Sequence, residues 1–538
     1  MIGADAIVKS LEMENVKYVF GYPGVAICPF FNSILDSDIK TVLIRTEQNA
    51  AHAASGLARV SNEVGVCAVT SGPGATNVIT GIATAFADSI PLVVITGQVN
   101  SELLGSDVFQ EADITGAVES FVKYSYLVRD VNDIPRIMKE AFHIARTGRK
   151  GPVLIDVPID VQNAEIKKFV YPENVNMRTY KPTVKGNMAQ IKKVSEKLSK
   201  AKRPIMCVGG GVLLADANEE IRSFSKKHNI PVVSTMMGIG VMPTMDPLYF
   251  GMVGNNGKPY ANRAMNESDL IIMVGARVAD RAISQPDLTM ENTTLIHIDV
   301  DPAEIGKNAK ASIPLVGDCK NIFEDLLSLD FECSHNEWLK ALENYRDTMT
   351  PKRNPNEKYV DPARFITLLS NKMKDDGIYV ADVGQNQIWS CGYHIVKKGK
   401  FLTSGGMGTM GYSIPAAMGA KIAQKDKQVI AVCGDGSFQM SMMELATMKQ
   451  HDVNVKVIVF RNNYLGMVRQ YQHFTYNDNY SVVDIKDGSP NLEKLSDAYD
   501  IKFLRLNDMS NVDEIIDEFL KNDESVILEC MIDPMDLV

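Results

Sequence analysis

The sequence predicts an α/β chain of three doubly wound parallel-sheet domains, and three observations carry the prediction. Short apolar runs rich in Val and Ile, each closed by a glycine-rich or polar turn, alternate with helix-period segments along almost the whole chain. That alternation belongs to parallel sheets covered by helices on both faces. Two stretches interrupt it: residues 161–190, containing KKFVYPENVNMRTYKPT, and residues 331–360, ending TPKRNPNEKYVDP, carry charge and Pro without a sustained period, as connections do. The length of 538 residues also exceeds what one core holds, at roughly 100–200 residues per domain. The expected domains are 1–165, 185–330 and 355–538.

In the first block, apolar runs at Tyr18–Phe20, Val42–Arg45, Gly65–Thr70, Leu92–Thr96 and Val153–Val157 read as strands. Gly21-Tyr22-Pro23-Gly24 closes the first in a tight turn that lets backbone approach closely. The second leads through Thr46-Glu47-Gln48-Asn49 into a helix of small residues, AAHAASGLARV. Glu47 thus stands at a strand's carboxyl end and a helix start, where a carboxylate also simply favours the helix dipole. His52, one turn on among alanines, reads as packing, and Ser71-Gly72-Pro73-Gly74-Ala75-Thr76-Asn77 is another strand-to-helix turn. Phe109, taken from the residues alone, reads as a helix core position.

The middle block has strands at Pro204–Val208, Pro231–Ser234, Leu270–Val274 and Leu295–Asp299. Gly209-Gly210-Gly211 follows the first, a turn found at nucleotide sites and equally in purely structural settings. The last block has strands at Ile378–Ala381, Phe401–Thr403, Val429–Cys433, Val453–Phe460 and Val526–Glu529. Within SGGMGTMGY, starting at Ser404, the glycines permit close backbone approach and Met410 is a bulky, adaptable side chain.

The most informative stretch runs from Val429 to Met467, a strand, helix, strand unit whose short crossover implies parallel strands. Asp435 and Asn462 lie just past the two strands' carboxyl ends, the edge where open α/β sheets bind ligands. A carboxylate and an amide oxygen are hard donors that suit Mg²⁺, which takes its other oxygens from phosphates. Gly436 lets backbone approach a phosphate, and Ser437 at the helix start is placed to donate to one. Taken singly, GDG is a tight turn and Asn462-Asn463 a polar strand end.

Together, GDG followed by Asn at this distance resembles the signature of thiamin diphosphate enzymes, and the chain resembles their acetolactate synthase and pyruvate oxidase branch over nearly all its length. The resemblance implies Mg²⁺ on Asp435, Asn462 and the carbonyl of Tyr464. It implies that Glu47, in RTEQNAAHAASGLAR, hydrogen-bonds the aminopyrimidine ring of thiamin diphosphate and is the central acid–base residue. Tyr22 and Gly24 would lie over the reacting centre, and Gln110, in VFQE, would border the substrate. Gln385, Asn386, Gly436 and Ser437 would face the diphosphate, with Met467 beside them. Gly408 would hold the pyrimidine, and Met410 would force the cofactor into its bent form. In the middle block, Gly209, Gly210, Arg277, Asp299 and Asp318, with Arg149 from the first, would hold FAD, and Arg281 would receive the second substrate's carboxylate. Tyr471 stands where the family usually carries Trp, so the acceptor pocket is expected to differ, and Asn255-Asn256 replaces a usual Met-His beside the flavin.

Composition narrows the remaining classes. Hydrophobic content of 45% and charged content of 23% are ordinary for a globular chain. The net charge of −10, without long charge runs, argues against nucleic acid or an anionic membrane as partner. Eight scattered Cys without a CxxC pair read as reduced core residues. With no long apolar run and no leader-like segment, the expected location is cytoplasmic. The substrates implied are small 2-oxo acids. The expected assembly is a homodimer or homotetramer with the cofactor between subunits, and a regulatory small subunit is compatible with it. The activity implied is acetolactate synthesis for branched-chain amino acids. The rivals are a related 2-oxo-acid decarboxylase or a carboligase with another acceptor, either with or without FAD, a flavin-dependent pyruvate oxidase and, should the cofactor not bind, a non-catalytic role.

Overall fold

The computed structural model describes residues 1–283 and 293–538. It contains three six-stranded sheets whose paired strands all run parallel. The first holds β1 (Tyr18–Tyr22), β2 (Lys40–Leu43), β3 (Gly65–Val69), β4 (Leu92–Gln98), β5 (Tyr124–Leu127) and β6 (Pro152–Pro158), in the order β2-β1-β3-β4-β6-β5. The second holds β7 (Pro204–Val208), β8 (Val232–Ser234), β9 (Tyr249–Met252), β10 (Leu270–Val274), β11 (Thr294–Asp299) and β12 (Ile313–Val316), in the order β12-β11-β10-β7-β8-β9. The third holds β13 (Ile378–Ala381), β14 (Lys400–Thr403), β15 (Val429–Gly434), β16 (Lys456–Arg461), β17 (Lys502–Leu506) and β18 (Val526–Met531), in the order β14-β13-β15-β16-β18-β17.

The first and third sheets therefore share one topology, with the winding reversing between β1 and β3 and between β13 and β15. In the middle sheet it reverses between β7 and β10, the arrangement of dinucleotide-binding sheets. In such sheets ligands sit in the crevice at the strands' carboxyl ends where the order reverses. Every sheet thus has one topologically defined place for a ligand.

The outer sheets are joined by a common core. Helices Glu47–Ser61 and Ser413–Ala423 pack face to face between them through Ala50, Ala53, Ala54, Ala416, Ala417 and Ala420. Gly56 and Gly419 make this contact close. A Cβ built on Gly56 would lie 1.9 Å from the Ala416 carbonyl oxygen, and one on Gly419 1.8 Å from that of Ala53.

Both connections differ from simple linkers. Residues 161–190 strap the first unit: Phe169, Tyr171 and Tyr180 pack on its core, and the Tyr171 hydroxyl donates to Glu14 at 2.8 Å. In the second, helix Asn336–Met349 folds back on the middle sheet. Trp338 and Leu342 are buried there, and the Trp338 indole N–H donates to the Pro204 carbonyl at 3.0 Å. The middle core therefore continues past residue 330. Trp338 and Leu342, one turn apart, with Leu339, Ala341 and Tyr345 beside them, mark that continuation in an otherwise polar helix.

Candidate functional site

In the third sheet, β13 and β15 deliver two turns to the crevice between them. Asp435 opens a helix straight after β15 and is 5% exposed. Its carboxylate accepts from the backbone N–H of Asn463 at 2.6 Å and of Gly436 at 3.0 Å, which ties the turn after β15 to the turn after β16. Burial raises its pKa to about 6, against the pull of those N–H groups. The side-chain oxygen of Asn462 accepts from the Tyr464 N–H at 2.9 Å, and its amide donates to Gln385 at 3.3 Å. Asp435, Asn462, Tyr464, Gln385, Asn386, Gly436, Ser437, Met410 and Met467 line one small cavity. The third-domain residues expected around a diphosphate and its metal are thus together. Among the described residues no three His, Cys, Asp or Glu side chains gather as a metal cage. A single carboxylate with amide and carbonyl oxygens suits a cation that shares its coordination with phosphate.

Two expected contacts are used differently. The Ser437 hydroxyl is spent within its own turn, accepting from the Gly434 N–H at 3.1 Å and donating to the Gly434 carbonyl at 3.2 Å. The Asn386 amide donates to the carbonyls of Asp382 and Val432 at 2.8 and 3.2 Å, bracing β13 against β15. Side-chain donation to a phosphate is therefore not their role in this arrangement.

The first sheet assembles a second cluster at its own reversal point. A Cβ on Gly24 would collide with the Thr70 side chain at 2.6 Å, and one on Gly74 would lie 3.4 Å from Glu47 Oε1. Asn77 donates to Glu47 Oε2 at 3.1 Å, so the acid is held by a residue of the Ser71–Asn77 turn whose pairing with Glu47 the sequence did not reveal. Gln110 sits against Gly72, whose Cβ position is 2.8 Å from the Gln110 Cβ, and Tyr22 is 40% exposed at the same edge. Phe109 is 87% exposed in a turn, not in a helix core. His52 is buried edge-on to Tyr412, and burial pushes its pKa down to about 3, as packing requires.

Between the three units lies a cleft of about 730 Å³, within the usual range for ligand sites. Arg149, Gly210, Arg277, Arg281, Asp299, Asp318, Gly408 and Met467 line it. Gly209 does not line the cleft itself; it packs behind Gly210, where a Cβ would meet the Gly275 carbonyl at 2.3 Å. Asp299 accepts from the Asp301 N–H at 2.9 Å, and burial raises its pKa to about 6. Arg277 donates to the Ala87 carbonyl at 2.9 Å, while Asp318 caps the helix beginning at Cys319. The Arg149 guanidinium is paired with Glu304 at 3.0 Å and bonded to Ser89 at 3.0 Å. Val383, Gly384 and Met467 line both this cleft and the small cavity, so the two spaces meet.

Comparison with known proteins assigns a family model to each of the three units. Residues 1–117 match the thiamine pyrophosphate enzyme N-terminal TPP binding domain, 191–326 the central domain and 382–530 the C-terminal TPP binding domain. The chain is 43% identical to a probable acetolactate synthase large subunit of Methanocaldococcus jannaschii, over 99% of this chain and 92% of the relative. It is 43% identical to an acetolactate synthase of Arthrospira platensis, over 94% and 89%. It is 40% identical to an acetolactate synthase large subunit of Lactococcus lactis, over 98% and 92%.

Proposed function

The chain belongs to the acetolactate synthase large-subunit family of thiamine pyrophosphate enzymes, and we propose that it decarboxylates pyruvate and transfers the two-carbon unit to a second 2-oxo acid. The product is 2-acetolactate, or 2-aceto-2-hydroxybutyrate when 2-oxobutyrate is the acceptor, and the setting is branched-chain amino-acid synthesis. The observation that carries this reading is the convergence of Asp435, Asn462, Tyr464 and Met410 on one crevice of the third sheet, with Glu47 held at the matching crevice of the first.

When bound, thiamin diphosphate supplies the electron sink for decarboxylation. The chain's own residues supply the rest. Asp435, the Asn462 amide oxygen and the Tyr464 carbonyl would hold Mg²⁺, and the N–H groups opening helix Gln385–Tyr393 would bind the diphosphate. Met410, which lines the small cavity on the loop that carries Gly408, would support the bound cofactor. Asn77 occupies one oxygen of Glu47 and leaves the other free, where it would accept and return a proton of the cofactor's aminopyrimidine. Arg281 is exposed at the mouth of the cleft, where its guanidinium fork suits the acceptor's carboxylate. The middle crevice, with its glycine turn and the strand order of dinucleotide sheets, supports FAD as a further ligand.

Exposed apolar side chains support a homodimer. Phe109 and Val25 (87% and 76% exposed) lie near the first-sheet cluster, and Tyr471, Phe474 and Val482 (60%, 67% and 93%) near the third. Helix Gly466–Tyr476 has no buried residue at all. Apolar surface of that kind is normally covered by a partner, and a second copy placing its Glu47 edge over this chain's Asp435 edge covers both. The name "large subunit" among the relatives supports a smaller partner chain as well. No helix among the described residues is long and apolar enough to cross a membrane.

Purified protein given pyruvate, Mg²⁺ and thiamin diphosphate, with and without FAD, is expected to form acetolactate only when FAD is present. Acetaldehyde as the product would move the assignment to a simple decarboxylase, and flavin reduction coupled to oxygen uptake would move it to an oxidase.

Metal loading should follow the titration of Asp435. A metal ligand must be ionised, so Mg²⁺ affinity is expected to be flat above the Asp435 pKa of about 6 and to fall about tenfold per pH unit below it. The stability of the metal-free protein runs the opposite way. A raised folded-state pKa makes proton binding stabilising, a contribution complete below the ordinary value of 3.8 and lost as pH rises through about 6. Magnesium titrations and melting curves at matched pH check both signs.

A further inference from the structure

The loop Ser404–Gly411, which carries Gly408 and Met410, is held at each end by a buried carboxylate. At its exit Asp382, following β13, accepts from the N–H of Gly411 at 2.9 Å and of Ser413 at 2.8 Å. At its entry the carboxylate comes from a different unit. Asp88, the last residue of helix Pro73–Asp88 and 7% exposed, accepts from the N–H of Gly406 at 2.7 Å and of Gly405 at 3.1 Å. Thr84, one turn earlier, adds a hydroxyl pair with Thr409 at 2.7 Å.

The glycines of this loop divide between two tasks. A Cβ on Gly406 would sit 2.9 Å from the Ala87 carbonyl oxygen, and one on Gly405 2.4 Å from Met237 Sδ. Gly406 is needed for the helix end to dock, and Gly405 leaves room for Met237 of the middle unit. Gly408 has φ +68° and nothing within 4 Å of its Cβ position, so it alone of the three faces open space. Burying an unpaired carboxylate is costly. Burial raises the Asp88 pKa, while Arg59, the two N–H groups and Arg277 oppose the rise. The other end of the same helix holds the acid, through Asn77 and Glu47. A helix of 16 residues is a rigid rod about 24 Å long, so one rod registers both the acid and the loop.

We propose that Asp88 is a positioning residue for the reaction: by clamping Gly405 and Gly406 it sets the height of Gly408 and Met410, and with it the conformation in which thiamin diphosphate is held. The proposal rests on the cofactor reading given above. It accounts for a buried carboxylate at the wall of the cleft whose two oxygens are taken up by the N–H groups of Gly405 and Gly406.

The test compares wild type with D88A, D88N and T84V at saturating Mg²⁺ and thiamin diphosphate. The readouts are kcat, KM for pyruvate and the near-ultraviolet circular dichroism of the bound cofactor. In D88A, kcat is expected to fall about tenfold to a hundredfold, the penalty typical of reacting groups misplaced by about 1 Å. The cofactor's dichroic signal should change, and pyruvate KM should stay within about twofold. D88N keeps one acceptor and should lie between D88A and wild type, with T84V shifting the same readouts less. Unchanged kcat and unchanged cofactor signal in D88A at saturation overturn the proposal, whatever the melting temperature does. Should D88A not fold, G406A is the deciding variant, because its Cβ presses on the Ala87 backbone. A wild-type signal there overturns the proposal equally. Wild-type protein that binds no thiamin diphosphate removes the premise and the proposal together, an outcome visible before any variant is made.

Discussion

Glu47→Gln is expected to lower kcat by about 10²- to 10⁴-fold, the range for a general acid–base group, while leaving thiamin diphosphate affinity within a few-fold. Gln matches Glu in shape, and the space around Oε1 is kept open by Gly74, so the pocket survives the change. What is lost is a carboxylate able to take up and release a proton. The metal-type donors lie on the third sheet, away from this position, and should still hold the diphosphate. Asn77→Ala tests the same assignment from outside the acid. Removing the 3.1 Å hydrogen bond to Oε2 frees the carboxylate to rotate and should cost about tenfold, a smaller share of the same general acid–base contribution. Exchange of the cofactor's acidic ring proton for deuterium, followed by NMR, separates ionisation from later steps. It should slow in parallel with kcat in both variants. A Glu47→Gln protein that keeps more than a tenth of wild-type turnover would remove Glu47 from the acid–base role and leave the helix-dipole explanation for its position.

The division between what the sequence revealed and what it concealed follows sheet position. The strands recognised from apolar runs include every interior strand of the three sheets. Those that escaped recognition are β5, β9, β12 and β17, and each is an edge strand. An interior parallel strand is buried on both faces and reads as a continuous apolar run. An edge strand such as Tyr124–Leu127 or Lys502–Leu506 is half exposed and carries Lys, Arg, Tyr or Ser where that run would be. The same reasoning explains the site. Asp435 and Asn462 stand directly after the interior strands β15 and β16, and Glu47 follows β2, an edge strand that still carries the apolar run Val42-Leu43-Ile44, so their place at the ligand-binding edge was legible. Asp88 and Asn77 act from the two ends of a helix on residues far away in the chain, and local pattern has no access to such pairings. Ser437 and Asn386 show the converse limit. Both lie where expected, yet their hydrogen-bonding capacity is consumed by the backbone that places them.

Gly419→Val should destabilise the protein by at least about 3 kcal/mol, at or beyond the upper end of ordinary overpacking costs, because the obstruction is backbone. The contact is between helices Glu47–Ser61 and Ser413–Ala423 themselves. A side chain on Gly419 would enter the Ala53 carbonyl at 1.8 Å, and one on Gly56 the Ala416 carbonyl at 1.9 Å, so no rotamer change relieves either. The helices must separate, and separation uncovers the alanine seam that joins the first and third sheets. Gly56→Val should cost a similar amount. The double variant should cost less than the sum of the two, since once the helices have moved apart the second side chain enters space already opened. The functional consequence follows from what flanks the seam. Glu47 is the first residue of one helix, and Met410 lies just before the other. Moving the helices therefore displaces the acid of the first sheet and the wedge of the third within one chain. Whatever folded fraction survives at low temperature should show a kcat loss as well as a lower melting temperature. Denaturant unfolding of Gly419→Val, with turnover measured well below its melting temperature, checks both parts. A stability loss under about 1 kcal/mol would mean that the helices yield cheaply, and that the glycines are not what sets the distance between the two halves of the molecule.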